Sequence, residues 1–420
     1  MSISNGISQK LRTMEFVTFN AIIYVLALLV YWYKRRKIDV GFVLISLYSL
    51  VAILGIPLYA TTANDWKISL WPYLYMFVVL MLFFRPFFFD SDSLYEKIYV
   101  RNYQIINVIS ILYIVCAFIS IYYMWPQAVE NLKSGKWGDI RTELYTEGIT
   151  MYAGQTERFV KIFAQYFNIV ALVILFYFLT FPNIKPLKII LLAIAVTIPT
   201  FLTALLIASR GLLFNLFINF LIVYIIFRKE IPPNVKRLIG IIAFSFLIII
   251  LFFSISVTRS RFGEANQSAS LLYYFGHSFL RFNYGVADSI SSYAGGAYLF
   301  DWFINLFNLD STINYNSLGT HFGTSFITFV GTLYIDFGPI GTFLIAIVAP
   351  WLISRSFRHK ETIDFADVFL YIFYLTYLLN GVFIVGKGSA LSWLIAILIY
   401  RLLKIRRLKL AGPNNASTEI

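Results

Sequence analysis

Cysteine is almost missing from this chain, histidine is rare and charge is sparse. Cys116 is the single cysteine in 420 residues and lies inside an apolar run. Neither a disulfide framework nor a cysteine-rich metal site can be built from it. There are three histidines. His277 and His321 lack a second His or Cys at ligand spacing, so no zinc site and no metal is expected. Charged residues make up only 13% of the chain, about half the share typical of soluble domains. With 59% hydrophobic residues and a mean hydropathy of +0.75, the composition excludes a soluble globular core and predicts an all-α polytopic membrane protein. No Ser-His-Asp order, Gly-rich phosphate loop, internal repeat or low-complexity tract can be placed, so no cofactor is expected. Lack of matching halves also speaks against the inverted architecture of many transporters.

What fills the chain is apolar segments. About 20 apolar residues cross a bilayer, and eleven candidates approach that length: 16–33, 40–62, 68–84, 103–124, 161–181, 188–208, 212–227, 238–257, 338–353, 364–384 and 390–403. No cleavable signal pattern follows MSISNGISQKLRTME, so Phe16–Tyr33 is expected to be a retained span. The segments KRRK (34–37), 85–102, 182–187, 228–237, 354–362 and the tail from 401 are placed on one side. With helix-edge residues assigned to the nearer side, that side holds 21 of the 34 Lys and Arg but 9 of the 21 Asp and Glu, leaving 13 and 12 opposite. The net charge of +13 thus divides into +12 and +1. The positive-inside rule makes the basic side cytoplasmic, with the N-terminus external and the C-terminus inside. The basic balance then needs no nucleic-acid partner.

The chain reads as one integral membrane domain over 1–420 with two long external segments. The first covers 125–160, with Trp125–Arg158 as its polar part. The second covers 258–337, and a loop of that length usually carries function. Within it, Leu271–Tyr293 reads as an amphipathic helix along the membrane surface. Thr324–Tyr334 is apolar but too short to span, and reads as a re-entrant or interfacial helix. Trp125, Trp137 and Trp302 lie outside and suit interfacial anchoring better than stacking on sugars.

Arg210 is the most conspicuous charge. It lies between apolar runs in LLIASRGLLFNLFINF, where an arginine costs at least a few kcal/mol unless it has a purpose or an escape. Placed at the outer end of 188–208, with Gly211 allowing a tight reversal into 212–227, it fits two readings. One is an arginine snorkelling to outer headgroups. The other is an anion site, because a guanidinium fork matches phosphate oxygens. Arg259 and Arg261 leave the span 238–257 at the same interface, and Arg281 follows in YYFGHSFLRFNYGVADSI. His277 and Arg281 are i, i+4 and share a helix face. Asp288, on that face, reads as a local polar partner. Four arginines near one outer mouth point to an anionic headgroup at bilayer level, such as a lipid diphosphate. The DSD at 90–92 has an acid-x-acid pattern but sits in an inner loop between Arg85 and Lys97, away from that mouth. A metal role for it is disfavoured.

Three motifs in order carry a resemblance. LLIASRGLLFNLFINFLI resembles the Ser-Arg-Gly helix junction of the O-antigen polymerase and ligase superfamily. FLRFNYGVADSI resembles the Arg-Phe-Asn segment of its large external loop, and GTSFITFVGTLYIDFGPIG the segment that closes the loop. The resemblance covers most of the chain. It implies a class C glycosyltransferase-like fold of about 11 transmembrane helices, with one large external loop containing short amphipathic helices. It further implies a metal-independent enzyme in a bacterial cytoplasmic membrane, acting on undecaprenyl-diphosphate-linked glycans. A chain-length regulator and a flippase are the expected partners. By this resemblance Arg210 and Arg281 match the family's active arginines and Arg259 is a further donor-binding candidate, while the general base is left unassigned. Arg261 joins the diphosphate-binding candidates by its place at the outer interface. Of the external candidates for the base, His277 ranks first, ahead of Asp336 and Glu264, because its pKa class suits proton uptake near neutral pH. Ligases of the superfamily carry a His-Asn pair before the closing Gly-x-x-Gly. Those two places here hold Ile327 and Thr328, with His321 six residues too early, which favours a repeat-unit polymerase. An O-antigen ligase-type transferase and a lipid-linked oligosaccharide flippase are the alternatives.

Overall fold

The computed structural model describes residues 2–62, 66–88, 98–146, 166–181, 184–262, 267–287, 290, 292–307, 327–357, 362–382 and 389–405. The chain is an all-α polytopic membrane protein. Among the described residues, eight helices are long and apolar enough to cross a membrane. They are α1 (Ser2–Arg35, apolar from Thr13), α2 (Val40–Thr62), α3 (Leu70–Phe84), α4 (Tyr103–Ser134), α7 (Pro186–Leu206), α8 (Arg210–Phe227), α9 (Pro233–Phe262) and α12 (Thr328–Phe357). Three shorter apolar helices, α6 (Asn168–Leu179), α13 (Phe365–Asn380) and α14 (Ala390–Leu403), occupy the other three expected positions. The remaining helices are α5 (Trp137–Thr146), α10 (Gln267–Phe282) and α11 (Asp301–Leu306).

Several of the basic segments meet at one end of the bundle. There β1 (Ile98–Tyr99) pairs in parallel with β2 (Ile363–Asp364). Arg101 forms an ion pair with Asp364. Lys404 reaches Asp367 at 2.8 Å, and the Tyr400 hydroxyl donates to the same carboxylate at 3.0 Å. The Tyr31 hydroxyl donates to Asp39 at 2.8 Å, and Arg35 to the Phe88 carbonyl. Loops far apart in sequence are thereby clasped together at that end, as the charge count requires of segments sharing one side.

Three expectations need correction. The first external segment does not begin as a loop: α4 runs on through Pro126 to Ser134 and ends at Gly135 in the left-handed region. Pro126 is tolerated on a helix whose outward turns project beyond the apolar run. The surface-lying amphipathic helix instead inserts into the bundle. Residues 276–280 of α10 are buried in succession, packed on α2 where Gly276 meets Leu54 and Gly55. A Cβ on Gly276 would stand 2.5 Å from the Leu54 carbonyl oxygen, so the crossing demands a residue without one. Finally, the short apolar helix and the span after it are one kinked element, α12. Residues 328–336 are buried on every side, and Gly338, at φ 66 and ψ −174, breaks the helix before Pro339. Irregular backbone at such depth is tolerated only inside protein, and here it is supplied with partners. The Ile335 and Asp336 carbonyls accept from the Ala294 and Gly295 amides at 2.9 and 2.8 Å, and the Pro339 carbonyl accepts from the Tyr75 hydroxyl at 2.8 Å.

Candidate functional site

At the α7–α8 junction the reversal is made by Ala208, not Gly211. Ala208 takes φ 47, and the next amide, Ser209, donates to the Ala204 carbonyl at 2.9 Å. This 6→1 closure satisfies one of the carbonyls a helix end leaves open. Ser209 is then extended and acts as N-cap, so Arg210 is the first residue of α8 rather than the last of α7. Arg210 as a whole is 6% exposed, and its guanidinium donates to the Thr258 hydroxyl near the end of α9. A simple snorkel to water does not describe a side chain so covered. The position is electrostatically pointed. A helix N-terminus carries about half a positive charge and open N–H groups, and Arg210 adds a full cation to it.

Thr258 directly precedes Arg259, whose side chain is exposed at the same end of α9. A further cation that sequence reading passed over is Arg141 on α5, which donates to the Ala208 carbonyl at 3.4 Å. Trp137 fixes α5 in place. It is 2% exposed, its indole N–H donates to Ser256 at 3.0 Å, and its ring meets Phe253 edge-on. Trp137 is therefore a packing anchor, unavailable for stacking on a sugar. Arg141 was readable only through its neighbour in KWGDIRTEL, since nothing in the spacing ties 141 to 208.

Arg281 sits in a second polar station. It donates to the Tyr284 hydroxyl at 3.2 Å and lies over that ring at 5.5 Å. His277 Nε2 shares a hydrogen bond of 2.8 Å with the same hydroxyl. Tyr284 belongs to a π-turn over Asn283–Ala287 that continues α10, a distortion frequent at functional sites. Trp66 stacks on Tyr284 at 4.6 Å, and Tyr273 on His277 at 4.3 Å. Tyr284 is i+3 from Arg281 and i+7 from His277, a helical spacing that would have found it; Trp66, far away in sequence, gave no such signal. The Asn283 side chain clamps the start of α3, accepting from the Ser69 amide at 3.0 Å and donating to its carbonyl at 2.8 Å. The Arg210 station packs against a small apolar cluster around Met124, Leu206 and Val257, and the Arg281 station against the main one around Phe279 and Phe282. The arginines expected at a single mouth thus lie beside two different apolar clusters.

The remaining base candidates differ in setting. Asp336 is 1% exposed, and its two oxygens accept from the Tyr298 and Leu299 amides at 2.9 and 2.8 Å. That arrangement suits an anchor for the turn over 295–300. Glu264, Asp288, His321, the DSD at 90–92 and the side chain of Arg261 lie outside the described residues.

α10 is not among the spans, and burial of His277, reinforced by the Arg281 charge, lowers its pKa from 6.5 to about 4. The ring is neutral at pH 7 but holds a proton weakly, an unfavourable setting for a base working near neutrality. The unfolded chain protonates this histidine below about 6.5 while the folded protein resists until about 4. Its contribution is therefore complete above pH 6.5 and is lost as pH falls toward 4, by up to about 3 kcal/mol. The thermal midpoint of the wild type in detergent should drop over that interval by more than that of His277→Gln; parallel curves would refute the assignment.

No family model matches the chain, and no curated protein or solved structure was found to be similar to it.

Proposed function

We propose that this protein is a polymerase that joins undecaprenyl-diphosphate-linked oligosaccharide repeat units into a surface polysaccharide at the external face of a bacterial cytoplasmic membrane. All eleven apolar helices span the bilayer in this reading, with the clasped basic end inside and the Arg210 and Arg281 stations outside. The observation that carries it is Arg210: a buried guanidinium on the positive end of α8, with Arg141 and Arg259 close to the same junction. Two positive potentials converging on one covered point favour a multiply charged oxyanion at membrane level.

In the reaction, a hydroxyl of the incoming unit attacks the anomeric carbon of the growing chain from the face opposite its diphosphate. The new C–O bond forms as the bond to the diphosphate oxygen breaks, so the configuration inverts. The hydroxyl proton passes to water at the outer face as the bond forms, and the lipid diphosphate leaves as an anion. Diphosphate needs no protonation to depart; stabilising the charge that grows on it is the main task, and fixed donors in a dry site do this best. Arg210 takes that role, with Arg281, held by Tyr284, as the second cation on lipid diphosphate. His277 and Asp336 are positioning residues, the former on Tyr284 and the latter on the turn beside the α12 kink.

Purified protein given the lipid-linked repeat unit should produce a ladder of elongated lipid-linked glycans. A single transfer to a different acceptor lipid would replace this reading with the ligase, and translocation without elongation would replace it with the flippase.

A further inference from the structure

The bundle also contains a cavity of about 310 Å³ between α4, α6, α7, α8 and α13. Its polar lining includes Ser120, Asn168, Thr200, Asn215, Asn219 and Asn380. Asn215 and Asn219 lie five and nine residues along α8 from Arg210, about 7 to 14 Å at the helical rise. Asn168 opens α6 and Asn380 ends α13, both at the Arg210 end of the bundle. The cavity therefore occupies the half of the bundle nearest the Arg210 junction.

Amides inside a bilayer normally hydrogen-bond across helices. Asn168 does so, donating to the Val196 carbonyl at 2.9 Å and the Tyr113 hydroxyl at 3.0 Å. The others do not follow it. Asn219 is 7% exposed and Ser120 3%, yet Asn219 Oδ1, Ser120 Oγ and Asn380 Oδ1 have no hydrogen-bond partner among the described residues. Such atoms in a native interior call for a reason, and structural economy offers none here, since an apolar residue would fill each place at less cost. The groups share one chemistry. Amides and hydroxyls both donate and accept, and among the described residues none that lines the cavity is charged. That lining suits a neutral ligand rich in hydroxyls better than a phosphate. The volume lies at the lower end of small-molecule sites, about 300 Å³ and upward, enough for one ring rather than a chain.

We propose that this cavity is a binding site for a neutral sugar ring, with the Asn219, Asn380 and Ser120 side chains hydrogen-bonding its hydroxyls. That the ring belongs to a lipid-linked glycan rests on the function proposed above; the chemistry of the cavity does not.

The test uses the full chain in proteoliposomes, with Cys116→Ser to remove the native thiol and Asn215→Cys as reporter. The rate of labelling by a membrane-impermeant thiol reagent is measured with methyl glucoside, methyl N-acetylglucosaminide or glucuronate. Neutral glycosides should slow labelling in a saturable way and glucuronate should not. Adding Asn219→Leu should weaken the protection about tenfold, the effect of one lost hydrogen bond to a buried group. The same change should leave the thermal midpoint unchanged or higher, because a buried amide oxygen with no partner among the described residues is removed. A lowered midpoint with unaltered protection would make Asn219 structural and overturn the proposal. So would absence of protection by every neutral glycoside, a result readable in the reporter protein even if Asn219→Leu fails to fold. Protection by glucuronate equal to that by the glycosides would also overturn it. The two proposals fail separately. Absence of any elongated ladder from the purified protein rejects the polymerase and leaves glycoside protection in place, whereas missing protection in an elongating enzyme rejects the cavity site alone.

Discussion

On the polymerase function proposed here, Arg210→Ala should slow glycan elongation by about 10²- to 10³-fold, the loss typical of removing one preorganised donor from a developing oxyanion. The expectation follows from its position more than from its charge. The guanidinium is covered, fixed through Thr258, and placed where the α8 amides already favour an anion. Little reorganisation is left for the moment when negative charge moves onto the leaving diphosphate. Arg210→Lys keeps the charge but replaces a planar fork by a point cation on a flexible stem, so it should recover only a small part of the rate. Elongation of lipid-linked repeats by purified variants gives the rates, and the length distribution of cell-surface polymer gives the consequence. Thermal midpoints distinguish lost chemistry from lost fold. A stable Arg210→Ala protein that makes polymer of normal length would remove Arg210 from the mechanism.

The second large effect is expected at Gly338, and it is structural. With φ 66 and ψ −174, this residue occupies a region open essentially to glycine alone, which costs other residues about 1–3 kcal/mol. A Cβ there would also stand 2.8 Å from the Tyr293 ring, and overpacking of that kind costs about 1–3 kcal/mol more. Together these approach the whole stability of a marginal domain. Gly338→Ala should therefore give a sharply lowered yield and melting midpoint. Tyr293→Ala added to it should recover the steric part only, since the backbone strain stays. Gly240→Ala is the control, because a Cβ at that exposed helical site meets nothing within 4 Å. A Gly338→Ala protein melting with the wild type would show that the α12 kink is not enforced there.

The site was legible in parts. The Arg210 locus stood out because a charge between apolar runs is costly wherever it ends up. The chemistry around it was less visible. Thr258 is 48 residues away and Arg141 is 67 residues from the carbonyl it binds, so no spacing rule links them. Gly211 looked like the turn residue because glycine is the usual one; tertiary packing placed the strain on Ala208 instead. Asp336 looked available as a base because a carboxylate near a loop usually is, whereas the chain folds back so that two backbone amides occupy it. Asn215 and Asn219, four apart on an apolar helix, were a readable polar signal that the surrounding hydropathy overshadowed.

Hydropathy sufficed to establish a multi-helix membrane protein and the positions of its apolar helices. These properties are sums over neighbouring residues, so a bilayer reads them much as an observer of the sequence does. The depth of Arg210, the break at Gly338, the insertion of α10 beside Gly55 and the amide-lined cavity emerged only with the packed bundle. Each depends on which distant backbone or side chain arrives within a few ångströms, and between helices that are apolar all round, local composition carries almost no information about which faces will meet.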